Sequence, residues 1–291
     1  MWRLIAVMVV FLFIGIALVS TQQEGSFVET QRDIPYTIGI SRDERQILDV
    51  YIPADVEDYP VLMFVSGGGW VDGNKDWVGN VGRTLARSGI GVVTVNHRLA
   101  PQANFQQQVS DLAEAFAWIK TRIAEYGGDP ARVAIGGHSA GGHLIGLLAT
   151  DPAYLQAVGY STEDVAGVLL VSAVLEIEQG MFSGISAMLP DAEAARAASP
   201  LILVNALQDT SAEQPPTRPP FLLLVAESDY DALKTQAAAM QTALENANIS
   251  VQSATITNRD HFNIITMIGA GDRDTTRTML DWLRAVFAIS A

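Results

Sequence analysis

The stretch that most constrains the fold is Val133 to Gly142, which reads VAIGGHSAGG. A short β-type run, Val133-Ala134-Ile135, meets glycines and then Ser139. Leu144 to Ala149 follows, apolar and long enough for a helix. Gly137-His138-Ser139-Ala140-Gly141 therefore fits G-x-S-x-G in a strand, sharp turn, helix context. Such a turn forces the serine into a strained backbone, and the flanking positions must lack bulk so that strand and helix can close on each other. Ser139 then projects from the tip. The Ala140 N–H falls at a helix N-terminus, where developing negative charge is favoured.

The rest of the chain supplies a frame for that turn. Ile34–Ile40 and Gln46–Ile52 alternate as two strands joined by a polar turn, and Gln22–Thr30 reads as a polar linker. Continuous apolar runs at Val61–Val65, Ile90–Val95, Val165–Val171 and Phe221–Ala226 read as buried strands, with a last strand at Ser250–Ile256. Between them lie helical segments at Trp77–Ser88, at Val109 to about Tyr126, at Asp231–Ala247 and at Asp272–Ala288. Strands alternating with helices imply a mostly parallel sheet covered on both faces, an α/β fold in one large domain over residues 24–291. Leu175 to Gln214 breaks the alternation. In such a sheet that position overhangs the carboxyl ends of the strands, where ligands bind, so the segment is expected to form a small cap.

Composition narrows the function. The formal net charge is -14, which argues against a nucleic-acid partner, whose backbone requires a basic face. There are no cysteines, so disulfides, thiolate catalysis and Cys-ligated zinc are excluded. Residues 1–23 stand apart: Arg3 precedes an uncharged apolar run, residues 4–19, without a polar face. The run reads as a signal peptide or membrane anchor, which implies export to the periplasm or beyond, with a tether to the membrane if it is retained.

A serine hydroxyl is a poor nucleophile unless a base takes its proton and a third group orients that base. The expected chain order is serine, then acid, then histidine. Of four histidines, His97 precedes Ser139, and His138 and His143 sit inside the turn and its helix. His261, in a loop after the last strand, is the candidate base. For the acid, Glu227, Asp229 and Asp231 all follow the strand after the cap, with Asp229 preferred and Asp231 able to cap the next helix instead. Ser66-Gly67-Gly68-Gly69-Trp70, after an early apolar strand, can aim the Gly68 and Gly69 N–H groups, together with that of Ala140, at a developing oxyanion. Trp70 directly follows those glycines and is expected to wall the substrate site and limit the acyl pocket.

Together these segments resemble the α/β-hydrolase-fold esterases, in particular bacterial carboxylesterases akin to hormone-sensitive lipase and to acetyl- and feruloyl-esterase-like enzymes. The likeness runs from about Tyr36 to Phe287. It rests on SGGGW (Ser66–Trp70), HRLAP (His97–Pro101), the Asp111–Trp118 helix, GGDPARVAIGGHSAGGHL (Gly127–Leu144), AESD (Ala226–Asp229) and DHF (Asp260–Phe262). It implies Ser139 as nucleophile, Asp229 as acid, His261 as base, and Gly68, Gly69 and Ala140 as oxyanion donors. It also implies hydrolysis of a small-molecule ester through an acyl-enzyme, with no metal and no cofactor. Two positions depart from the family pattern: Ser66 stands where a histidine usually buttresses the glycine loop, and His97 stands where tyrosine is usual. Arylformamidase or peptidase-like hydrolysis is the alternative reading, and a non-catalytic binding protein on the same fold is a more distant one.

Overall fold

In β3 (Tyr59–Val65), β4 (Gly91–Val95) and β6 (Val168–Val171) every residue is buried, the signature of strands covered on both faces. The computed structural model describes residues 28–37, 43–178, 192–207, 218–271 and 274–289. The expected signal or anchor segment, residues 1–23, lies outside them, as do residues 179–191 and 208–214 of the expected cap. The remaining strands are β1 (Glu29–Pro35), β2 (Ile47–Ile52), β5 (Gly128–His138), β7 (Phe221–Ser228) and β8 (Val251–Asp260). Among the described residues, the eight strands together form one sheet in the order β1-β2-β4-β3-β5-β6-β7-β8. The two β1/β2 and β2/β4 pairings are antiparallel and all the others parallel.

Alternate residues of the central strands point to two cores. Val61, Met63 and Val65 of β3 pack with α2 (Phe105–Arg122), α3 (Ser139–Thr150) and α7 (Asp231–Asn246). Leu62 and Phe64 pack on the other face with α1 (Gly79–Ala86) and the last helix, α9 (Asp274–Phe287). The short helix α4 (Pro152–Ala157) follows α3, and the described part of the cap segment contains α5 (Ala192–Ala197) and α6 (Pro200–Ala206). A single turn of helix, α8 (Asn263–Thr266), follows β8.

Two expectations need correcting. The first described strand, Glu29–Pro35, begins five residues before the expected Ile34–Ile40, whose residues 38–40 lie outside the described residues, so Glu29 and Thr30 are strand and not linker. An edge strand needs only main-chain pairing, here Glu29 with Ile52 and Gln31 with Val50, so its side chains stay polar and hide the strand from a periodicity reading. The helix expected from Trp77 is a 3₁₀ turn, Lys75–Val78, followed by α1. The Asn74 side chain accepts from the Asp76 N–H and starts that turn early.

Candidate active site

All the expected site residues lie at one edge of the sheet, beyond the carboxyl ends of β3, β5, β6, β7 and β8. Ser139 is the first residue of α3, directly after β5, and has φ 53°, in the left-handed region that a residue with a side chain rarely adopts. The turn can close because its glycines allow backbone to touch backbone. A Cβ on Gly141 would lie 2.4 Å from the Ser66 carbonyl oxygen. The elbow and the glycine loop after β3 are therefore in direct backbone contact.

Three side chains from three loops converge. The Ser139 hydroxyl donates to His261 Nε2 at 2.9 Å, and His261 Nδ1–H donates to Asp229 Oδ1 at 2.9 Å. Asp229 and His261 are buried. Of the other two acids, Asp231 is exposed and pairs with Lys234 at 2.9 Å, while Glu227 accepts from the Asn258 N–H at 2.9 Å. Neither takes a place beside His261. Burial pushes the Asp229 carboxyl up, but hydrogen bonds from His261, Ser172 and the Ala226 N–H outweigh it and hold Asp229 below the ordinary aspartate value. It stays a carboxylate, able to stabilise an imidazolium.

Two residues of this arrangement escaped sequence reasoning. Ser172, just after β6, is fully buried at φ 46° and donates its hydroxyl to Asp229 Oδ2. His138 donates Nε2–H to the His261 carbonyl oxygen at 2.8 Å, and the two rings lie 4.9 Å apart. Burial first, and the neighbouring His261 second, lower the His138 pKa to about 4, so it is neutral and holds the His261 loop as a plain donor. A serine ending an apolar strand and a histidine beside the nucleophile carry no distinguishing signal in the sequence.

The glycine loop is held from several sides although Ser66 replaces the usual histidine. Gly68 has φ 145°, and a Cβ there would lie 2.2 Å from the Asp72 carbonyl oxygen. Arg45 donates to the Gly73 and His97 carbonyl oxygens at 2.6 and 2.9 Å. The Trp70 carbonyl accepts from the Ala100 N–H at 2.9 Å and from Gln108 Nε2 at 3.2 Å. The Trp70 ring is only 1% exposed, and its Nε1–H donates to His143 Nδ1 at 3.0 Å. His143 Nε2–H in turn donates to the Ala198 carbonyl oxygen at 2.6 Å, at the foot of α6. Burial lowers the His143 pKa to about 4, so it can accept on one nitrogen and donate on the other. His97, at the tyrosine position, is buried with its pKa likewise lowered to about 4 by burial, and its Nδ1–H donates to the Arg98 carbonyl oxygen at 2.7 Å.

Above Ser139 opens a cleft of about 370 Å³, lined by Ser66–Trp70, Trp77, Val78, His138–Ala140, Val174, Tyr230, His261, Phe262, Ile265 and Thr266. The turn bearing Trp77 and Val78 is anchored by Lys75, whose buried ammonium pairs with Asp33 at 2.7 Å and Asp49 at 2.8 Å. Asn80 of α1 donates to the Ile265 and Ile268 carbonyl oxygens at 2.8 and 3.1 Å, tying that wall to α8.

Known proteins resemble this chain in sequence or share its fold. Residues 48–181, which carry the glycine loop and the elbow, match the BD-FAE family. A rice protein (Oryza sativa subsp. japonica) named "Probable isoprenylcysteine alpha-carbonyl methylesterase ICMEL1" is 43% identical over 101 residues, 34% of this chain. That match spans only 24% of the rice protein's length. Kynurenine formamidase of Salmo salar is 27% identical over 264 residues, covering 89% of this chain and 84% of its own. The inhibited esterase B of Lactobacillus rhamnosis superposes with a TM-score of 0.74 at 22% identity, over 90% of this chain and 87% of its own, and shows the same fold. The doubly covered, mostly parallel sheet and the serine at the β5–α3 elbow give the chain the α/β-hydrolase fold that its glycine loop and G-x-S-x-G turn imply, and esterases are among the proteins it resembles.

Proposed function

We propose that this protein hydrolyses carboxylic esters of small molecules through an acyl-enzyme, and the observation that carries the reading is the continuous hydrogen-bond line Ser139–His261–Asp229 on the floor of a cleft. Ser139 Oγ attacks the ester carbonyl carbon as its proton passes to His261 Nε2. The carbonyl oxygen becomes an oxyanion received by the N–H groups of Gly68, Gly69 and Ala140, each donor contributing on the order of 3 kcal/mol to the transition state. The carbon–oxygen bond to the alcohol then breaks, and His261 gives its proton to the departing oxygen. Water, deprotonated by the same nitrogen, releases the acid and restores Ser139. Asp229 holds the ring and balances the imidazolium.

The acyl group in this reading is short, roughly acetyl to hexanoyl. Trp70 backs the cleft and is fixed by His143, so it cannot swing aside for a long chain. The apolar run at residues 4–19 supports export, with the enzyme either released or tethered at the membrane. The match to kynurenine formamidase over most of both chains supports a second reading, hydrolysis of an N-formyl aryl amide by the same machinery. A serine-directed fluorophosphonate decides the core of the proposal: it should label the wild-type chain once and fail on Ser139→Ala. Turnover of phenyl acetate against N-formylaniline then separates ester from amide. Absence of labelling, with no ester cleaved, would leave a binding protein on this fold.

A further inference from the structure

Six large apolar side chains are exposed among the described residues, and most of them gather at one place. Phe262, Trp77 and Tyr230, exposed by 65%, 53% and 47%, all line the mouth of the cleft, and Val71 and Met267 directly follow the lining residues Trp70 and Thr266. Scattered exposed hydrophobics need no explanation, whereas a cluster of aromatics around a cavity marks a place where something apolar is received. The direction of proton transfer says which part of the substrate that is. The departing oxygen must collect its proton from His261 Nε2, so the leaving group lies on the His261 side, away from the N–H groups that hold the oxyanion. Three rings lie about as close to His261: the buried His138, 4.9 Å away, and the exposed Tyr230 and Phe262, 4.9 Å and, edge-on, 5.2 Å away, and only the last two stand at the opening of the cleft.

Charge limits the choice further. No Lys, Arg, Asp or Glu side chain lines the cleft among the described residues. The exposed carboxylates of Glu227, Asp231 and Asp260 flank Tyr230 and His261 along the chain, and the net charge of -14 is unfavourable to an anion. We infer that Tyr230, Phe262 and Trp77 form the site for the leaving alcohol and that it takes an uncharged aromatic group. This rests on the ester-hydrolase reading above and adds the chemistry of the alcohol to it.

Acetate esters of primary alcohols test it, because the acyl group stays constant and the alkoxides depart with similar ease. Benzyl acetate should exceed ethyl acetate in kcat/KM by about tenfold or more, and exceed cyclohexylmethyl acetate by about two- to tenfold, since ring–ring contact adds to area burial. 4-Carboxybenzyl acetate should fall well below benzyl acetate. Phe262→Ala and Tyr230→Ala should each narrow the benzyl-to-ethyl ratio, and Phe262→Leu should lower benzyl acetate toward cyclohexylmethyl acetate. These side chains are exposed enough that folding should tolerate the changes. A benzyl-to-ethyl ratio near one, a ratio untouched by both alanine variants, a cyclohexylmethyl ester as good as the benzyl one, or a carboxylate that costs nothing would each overturn the inference. Ethyl acetate turnover by the wild type keeps the two questions apart: if it proceeds, the hydrolase stands whatever the alcohol preference. If neither ester turns over and the fluorophosphonate does not label, the hydrolase reading itself fails.

Discussion

Three buried histidines make the folded state sensitive to mild acid. His97, His138 and His143 each have the pKa lowered from 6.5 to about 4, burial being the largest cause in every case. In the unfolded chain they titrate near the ordinary value. Between those limits the unfolded state binds more protons than the folded one, so stability falls as pH falls. Their contribution is fully present above about pH 6.5 and is lost by about pH 4. A difference of this size is worth about 3 kcal/mol per histidine, and three together change stability by up to roughly 4 kcal/mol per pH unit near pH 5. The sum, on the order of 10 kcal/mol, rivals the whole stability of an ordinary domain. Asp229 acts in a lower window: its depressed pKa means that its contribution is lost only once the pH drops through that lowered value. Urea unfolding at pH 7.5, 6.5, 5.5 and 4.5, followed by tryptophan fluorescence, should show little change over the first interval and a steep loss over the others. His143→Gln can still accept from Trp70 and donate to Ala198 without titrating, so it should remove about a third of the slope. A stability that changes by less than about 1 kcal/mol between pH 7 and pH 5 would refute the idea that these rings are buried neutral.

Other outcomes follow from the same geometry. Asp229→Asn should cut kcat by roughly 10⁴-fold, as loss of an orienting carboxylate does elsewhere, while Asp231→Asn should leave it within a few-fold; the reverse pattern in steady-state assays would move the acid. Ser172→Ala removes a charge-assisted bond to the buried carboxylate, so urea unfolding should show a loss of about 1.5 to 3 kcal/mol, and kcat should drop roughly tenfold. Across p-nitrophenyl esters the wild type should favour acetyl to hexanoyl, and Trp70→Ala should move the optimum to longer chains while lowering kcat, because it also strips His143 of its donor; a wild-type maximum at dodecanoyl would sink the short-acyl proposal.

What could be read from the sequence was whatever chemistry forces into a local pattern. The elbow needs small residues on both sides of Ser139 within five positions, and the oxyanion loop needs consecutive glycines after a strand, so both are visible without the fold. His261 was reachable because chain order eliminates the other three histidines. For the acid the sequence offers Glu227, Asp229 and Asp231 and favours Asp229, but which of these loop neighbours meets the histidine depends on where the backbone turns. Here the β7–β8 register breaks between Ala226 and Ser228, and Asp229 falls beside His261. Ser172 was out of reach for a related reason. Its place against Asp229 is set by the pairing of Val171 with Leu224 across β6 and β7, a long-range register that leaves no mark near Ser172 itself. The polar edge strand β1 was missed because pairing through the main chain asks nothing of its side chains.

The parts of the site differ in how far they can change separately from the reaction. Ser139 and the glycine loop proposed to supply the oxyanion donors form one packed unit: a Cβ on Gly67 would lie 2.9 Å from that of Ser139, and one on Gly141 would lie 2.6 Å from the Val65 carbonyl oxygen. Trp70 belongs to that unit through its carbonyl bonds to Ala100 and Gln108 and its ring bond to His143. A change in acyl selectivity made at Trp70 therefore disturbs the loop that presents Gly68 and Gly69, and selectivity and turnover shift together. Phe262 and Tyr230 are different. Their main chains are fixed by the Asp260 carboxylate and by Asp229 Oδ1, which accept from the Phe262 and Tyr230 N–H groups at 2.9 and 3.0 Å, while their rings project to solvent. Those backbone bonds do not depend on which side chain follows. On the proposed placement of the alcohol, discrimination among leaving groups should therefore be alterable at the rim while the geometry of Ser139, His261 and Asp229 stays as it is.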